Sequence, residues 1–180
     1  MSVAEQLVPV GRWNADGLHS SVGVEVKHMG VSTFSAGFPD FEATLVSEPD
    51  RIELSGAARV ESFDVQDADL KPHVMSPEFL DLERHPQLAF RSTRISDNGD
   101  GLVVEGELTI KGTTRAVEAH GGLTGPVADP SGNERLALTL EAHIDRTEFG
   151  LGWQMELPEG GEALANEVRL VVSLEFIKAA

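Results

Sequence analysis

Residues 135–145 read RLALTLEAHID, and their order decides the fold class. Leu136, Leu138, Leu140, Ala142 and Ile144 share one parity, while Thr139, Glu141, His143 and Asp145 hold the other. Successive side chains of an extended strand point to opposite faces, so this alternation predicts a strand with one face in a core and one in water.

The same parity extends outward from that segment. Between 101 and 111, Leu102, Val104, Leu108 and Ile110 share a face with Gly106, opposite Glu105, Glu107, Thr109 and Lys111. Towards the C-terminus Val168, Leu170, Val172, Leu174 and Phe176 oppose Arg169, Ser173 and Glu175, and near the start Val22, Val24 and Val26 alternate with Gly23, Glu25 and Lys27. Further strands are predicted over 31–38, 41–47, 51–63, 87–96 and 115–124, each bounded by Gly, Pro, Asp or Asn. The total comes to about eight or nine strands.

One helix is predicted. Ser76 can cap it, Pro77 suits its first turn, Glu78 favours its positive end, Phe79, Leu80 and Leu82 follow, and His85-Pro86 stops it. The stretch GPVADPSGN at 125–133 reads as a hairpin loop, and GTTR at 112–115 as a hairpin turn. With no internal repeat or low-complexity tract, one β domain over 1–180 is expected, either a sandwich or a closed antiparallel barrel.

Composition narrows the functions. The chain has 180 residues, the size of one domain, with 30 acidic against 14 basic side chains and a net charge of −16. Such a surface repels phosphate backbones and anionic headgroups, so no nucleic-acid partner is expected. The absence of cysteine excludes a disulfide framework and thiolate metal ligands. The opening MSVAEQLVPVGRWNADG has no basic stretch followed by an apolar run, so neither a secretion signal nor an anchor is expected. Met1 followed by Ser2 fits a native start, and a soluble, cytoplasmic protein without stable membrane insertion is the expectation.

Chemistry-bearing motifs are sparse. His19, His28, His73, His85, His120 and His143 show no HExxH or comparable ligand spacing, so neither a metal nor a cofactor is expected. His19 and His28 read as hydrogen-bonding groups at turns or a barrel end. Asp16, His19 and Ser20 are the residue types of a hydrolytic triad, but no nucleophile elbow accompanies them. In the cluster Asp145-Arg146 with Glu148-Phe149-Gly150, Arg146 either meets a ligand head group or pairs with Asp145 or Glu148 as a structural ion pair.

Four stretches carry a resemblance: WNADGLHSSVGVEVKHMGVSTFSAGF at 13–38, SPEFLDLERHPQLAFRST at 76–93, GELTIKGTTRAV at 106–117 and IDRTEFGLGW at 144–153. In this order and spacing they resemble the YceI family of polyisoprenoid-binding, lipocalin-like proteins. The resemblance implies an all-β fold, an eight-stranded antiparallel lipocalin-like barrel with a short helical insertion, and an apolar tunnel for a long isoprenoid chain. There is one departure. Many members carry Arg-Asp-x-His-Leu before the helix, where this chain has Gln66, Asp67, Ala68, Asp69 and Leu70, then Lys71-Pro72-His73. That puts the head-group preference in doubt, with Lys71 and His73 as substitutes for the missing basic groups.

On this resemblance, Val22, Val24, Val26, Val104, Leu108, Leu138, Leu140, Leu170 and Val172 are candidate inner-face ligand contacts. Phe34, Phe38, Phe41, Phe79, Phe90 and Trp153 are candidates for a mouth or wall, Arg146 and Phe149 for the head group and chain, and Trp13 for closing one end. Taken singly, each is also a residue that any β core uses. Small inward side chains leave room in an eight-stranded barrel, and burying hydrocarbon gains roughly 25 cal/mol per Å². The expected function is a carrier or reservoir for a long-chain isoprenoid lipid of polyprenyl or quinone type, not an enzyme, with a homodimer as a further expectation. Two alternatives stand beside it: an enzyme acting on a terpenoid or acyl substrate through Asp67, Asp69 or Glu148, and a fully packed, stress-linked interaction module.

Overall fold

A computed structural model describes residues 7–180. Its strands are β1 (Gly11–Ala15), β2 (Ser21–His28), β3 (Ser32–Gly37), β4 (Phe41–Glu48), β5 (Arg51–Arg59), β6 (Gln87–Asp97), β7 (Leu102–Ile110), β8 (Thr113–Ala128), β9 (Glu134–Asp145) and β10 (Leu164–Lys178), and the β5–β6 connection carries the α-helix α1 (Leu70–Met75). These ten segments fill eight barrel positions. β1 and β2 both pair with β10, while β4 pairs with β1 and β3 with β2, so each couple is one interrupted strand. All pairings are antiparallel, and β1 against β10 closes the sheet. The interruption after β1 is a 3-10 turn whose start is capped by Asp16, its carboxylate accepting from the Leu18 N–H at 3.0 Å.

The parity read in β9 is the parity observed: Leu136, Leu138, Leu140, Ala142 and Ile144 are all buried. The core falls into two clusters, one towards each end of the barrel. At the first, Val8, Trp13, Leu45, Val104, Leu138 and Phe176 pack together. The chain before β1 crosses this end, where Ser47 Oγ donates to the Val8 carbonyl at 2.9 Å and the Trp13 indole N–H to that of Pro9 at 3.2 Å. The second cluster draws Phe63 and Leu80 from the β5–β6 connection and Phe149 and Leu151 from the β9–β10 connection.

Three local expectations are corrected. The helix lies at Leu70–Met75, ahead of Ser76. Asp67 Oδ1 accepts from the N–H groups of Asp69 and Leu70 at its start, and Pro72 falls in the first turn, where its missing N–H is not needed. Ser76 ends this helix, its N–H and Oγ both donating to the His73 carbonyl, and residues 77–85 are a run of turns folded back on it. Second, β5 stops at Arg59, because Val60–Ser62 is a 3-10 turn tied to Pro86 through the Val60 N–H.

Third, β8 runs on through Gly125-Pro126 to Ala128 by shifting register between Thr124 and Val127. The loop shrinks to 129–133, where Asp129 accepts from the N–H groups of Ser131 and Asn133. The β7–β8 turn is likewise tight, with Lys111 and Gly112 both at positive φ (50° and 75°), as a two-residue hairpin turn requires. Among the described residues no helix is long and apolar enough to cross a membrane.

Candidate functional site

Between the two clusters the barrel is hollow, with a cavity of about 630 Å³. Its walls are aliphatic and aromatic: Val22, Val24 and Val26 on β2, Leu108 on β7, Leu140 on β9, and Leu170 and Val172 on β10. Phe34, Phe38, Phe79, Phe90 and Trp153 also line it, as does Arg146. The other charged lining residue among those described is Glu42.

Three candidate contacts stand outside the lining. Val104 and Leu138 point inward as their parity requires, but they lie nearer the Trp13 end, where the interior is packed and both are essentially inaccessible. Phe149, at the end of a 3-10 turn, is spent in the second cluster with Phe38, Ile144 and Leu151.

Part of the lining comes from α1 and the two long connections, through Leu70, His73, Val74, Phe79, Leu151 and Trp153. The His73 ring stands edge-on to Phe79 (4.9 Å between centroids) and to Trp153 (5.2 Å), and those two rings are 5.4 Å apart. Such edge-to-face contacts make a stable apolar wall. His73 Nε2 lies 3.1 Å from Glu78 Oε2, which orients the imidazole. Lys71 does not line the cavity, so of the two proposed substitutes for the missing basic groups only His73 is in place.

Arg146 pairs with neither Asp145 nor Glu148. Its Nε donates to the Ala165 carbonyl at 2.9 Å, and its terminal nitrogens donate to the carbonyls of Leu151, Trp153 and Leu164 and to Asn166 Oδ1. Five N–H groups and five acceptors match, so the side chain is a pin for the 151–166 segment. Asp145 instead accepts from the Thr147 N–H and hydroxyl, which lower its pKa. Burial pushes the Arg146 pKa down, opposed by the fields of Glu162 and Asp145. With its donors committed, Arg146 offers the cavity a positive field rather than a free hydrogen bond.

The family model for the YceI-like domain matches residues 13–176. This chain belongs to the YceI-like family. A UPF0312 protein of Pectobacterium atrosepticum is 28% identical over 180 residues, covering 98% of this chain and 91% of its own length. Protein YceI of Salmonella arizonae is 30% identical over 166 residues, 91% of this chain and 84% of its own. Among solved structures, Burkholderia cenocepacia BcnA superposes with a TM-score of 0.76 at 24% identity, covering 89% of this chain and 98% of its own. A polyisoprenoid binding domain from Saccharophagus degradans superposes with a TM-score of 0.59 at 9% identity, covering 93% and 98%. The structural likenesses establish the fold.

Sequence reasoning missed part of this YceI-like lining. Ala43 on β4, Gly56 and Ala58 on β5, and Ala119 and Ala142 further round are the small residues that leave the barrel hollow. Their parity with Phe41 and Leu54 was the available signal. Leu70 and Val74 line the hollow from α1 and were hidden by the displaced helix.

Elsewhere on this YceI-like barrel, Asp16, His19 and Glu175 bring one ligand atom each within 4.8 Å of one another, but Arg135 Nη1 bonds both carboxylates at 3.0 and 2.8 Å. The His19 hydrogen bond, then the Arg135 guanidinium, hold the Asp16 carboxyl down at about 2. Ser20 Oγ accepts from the Glu175 N–H at 2.9 Å rather than facing His19. The group is a structural ion cluster with no nucleophile arrangement.

Proposed function

We propose that this protein encloses the apolar tail of an isoprenoid lipid in the barrel and keeps it from water, as a carrier or reservoir that does no chemistry on it. The observation that carries this reading is the 630 Å³ hollow with aliphatic and aromatic walls inside a closed sheet. A dry cavity lined this way receives apolar ligands. Branched prenyl methyl groups match the knobs and gaps of a Val, Leu and Ala surface. The Saccharophagus degradans domain, described as polyisoprenoid binding, supports the ligand class by likeness of fold.

The two alternatives find less support. A fully packed module does not carry such a hollow, and the carboxylates considered for acid or base work, Asp67, Asp69 and Glu148, all lie outside the lining. Burying about 400 Å² of chain would give roughly 10 kcal/mol gross, from which the cost of association and of ordering the chain is subtracted.

The test is mass spectrometry of an organic extract from protein purified without detergent, set against an unrelated protein expressed in the same way. One prenyl lipid near stoichiometric amount is expected. An empty extract, together with failure to bind added prenyl quinones, would overturn the reading.

A further inference from the structure

After β5 the chain leaves the sheet and returns close to where it left, since the Val60 N–H donates to the Pro86 carbonyl at 3.0 Å and Asp64 bridges to Gly37. The excursion over 65–85 satisfies its own polar groups. Asp67 Oδ1 caps α1, the N–H groups of Leu80 and Leu82 donate to the carbonyls of Val74 and Met75, and the His85 N–H donates to that of Asp81. Among the described residues a single hydrogen bond joins it to the rest of the chain: Lys111 Nζ donates to the Pro77 carbonyl at 2.6 Å. The same ammonium reaches the Gly150 carbonyl in the β9–β10 connection at 3.4 Å. Lys111 stands in the tight β7–β8 turn, and its neighbour Gly112 lies against the His85 ring, where a β-carbon would meet the ring at 2.7 Å.

The excursion also stands where the sheet is unpaired. Among the described residues β3 has a strand partner, β2, on one edge only, and its other edge carries just the Gly37 bridge. Ser32, Thr33 and Phe34 of β3 line the hollow, as do Leu70, His73 and Val74 of α1. Phe34 and Ala36 pack with Val65, Val74 and Met75 on one cluster. On this side packed side chains replace the ladder of hydrogen bonds that closes the rest of the barrel, and within 65–85 only Leu80 and Asp81 are buried. A segment bonded to itself, with its ends fixed together, can swing as a unit without stranding backbone groups. We propose that residues 65–85 are a gate over the hollow, latched by Lys111, and that lipid passes between this gate and the open edge of β3; the proposal rests on the lipid-binding reading above.

Lys111→Met keeps the length of the side chain and removes the latch. The experiment follows uptake and release of a four-unit prenyl alcohol by the full chain in stopped flow, read by the fluorescence of Trp153, which lines the hollow, over the constant signal of the buried Trp13. Both rates are expected to rise about five- to tenfold on losing one charge-assisted hydrogen bond, with affinity unchanged within about twofold, because a gate is crossed in both directions. In the lipid-free variant, amide hydrogen exchange should quicken over 70–85 and stay as it was along β9. Unchanged rates, affinity lost through release alone, or exchange that does not quicken over 70–85 would overturn the gate and leave lipid binding standing. If neither protein takes up the alcohol, the proposed function falls and the gate with it.

Discussion

The Trp153 carbonyl accepts a hydrogen bond from the Arg146 guanidinium at 2.8 Å, so a residue that lines the hollow hangs from a buried cation. Replacing Arg146 with Met keeps the volume but leaves five acceptors without their donor. A loss of about 2–4 kcal/mol is expected in urea unfolding, since each stranded carbonyl must recover a partner from water. Lys at the same place has three donors from one point and should recover only part. Full stability in Arg146→Met would show that the 151–166 segment is held by other contacts.

Gly106 has a different dependence, on Phe90. Gly106→Ala pushes a methyl group into the Phe90 ring, and overpacking of this kind costs about 1–3 kcal/mol. The Arg91 carbonyl lies 2.6 Å from the same position, so Phe90→Leu should relieve the ring's share of the cost and leave the backbone's. A double-mutant cycle in chemical denaturation should show that coupling, and strict additivity of the two changes would speak against the ring-over-glycine contact.

How much of this was legible beforehand differs from feature to feature. The strands of β7, β9 and β10 are written in their alternating residues, because half-buried sheet imposes a period of two whatever its neighbours do. Ser76-Pro77-Glu78 has the side chains of a helix start, yet α1 ends there, since Asp67 caps an earlier start and Ser76 bonds backwards to His73. The cavity floor was not readable at all. Leu138 and Leu140 are the same residue type on the same face, and what separates them is height in the barrel, set by strand closure between residues more than a hundred positions apart. The partners of Arg146 are hidden from the sequence for a related reason: they are four main-chain carbonyls and an asparagine, which no charge pattern announces.

Height in the barrel also separates stability from binding. Leu138→Ala empties a close-packed site and should cost about 2–5 kcal/mol. Leu170→Ala removes a side chain that already borders open space, so its cost should fall at or below the lower end of that range, while prenyl affinity drops. Thermal unfolding and binding measured on both variants check this. Equal stability losses would mean that the hollow is not open in solution.

The outer charge clusters should govern acid sensitivity. Asp16 is held at about 2 instead of 3.8, by His19 and then Arg135, and Glu141 at about 2 instead of 4.5, by Arg169 and then His143. Depressed carboxyl values mean that the folded state binds fewer protons than the unfolded chain, so this stabilisation is full above about pH 4.5 and is lost as pH falls towards 2. Arg135 also lowers the pKa of Asp129. Arg135→Gln should therefore lower the thermal midpoint at pH 6, and the gap to the parent should narrow by pH 2.5. A gap of the same size at both pH values would place the role of Arg135 in packing instead of charge.

The most direct test of lipid enclosure is methyl NMR of Leu- and Val-labelled protein titrated with a four-unit prenyl alcohol. Saturation at one equivalent is expected, with the largest shifts at the lining residues Val24, Leu140, Leu170 and Val172, and little change at the exposed Val10 and Leu18. Shifts confined to Val10, Leu18 and other outer methyl groups, or none at any ratio, would contradict an isoprenoid tail inside the barrel.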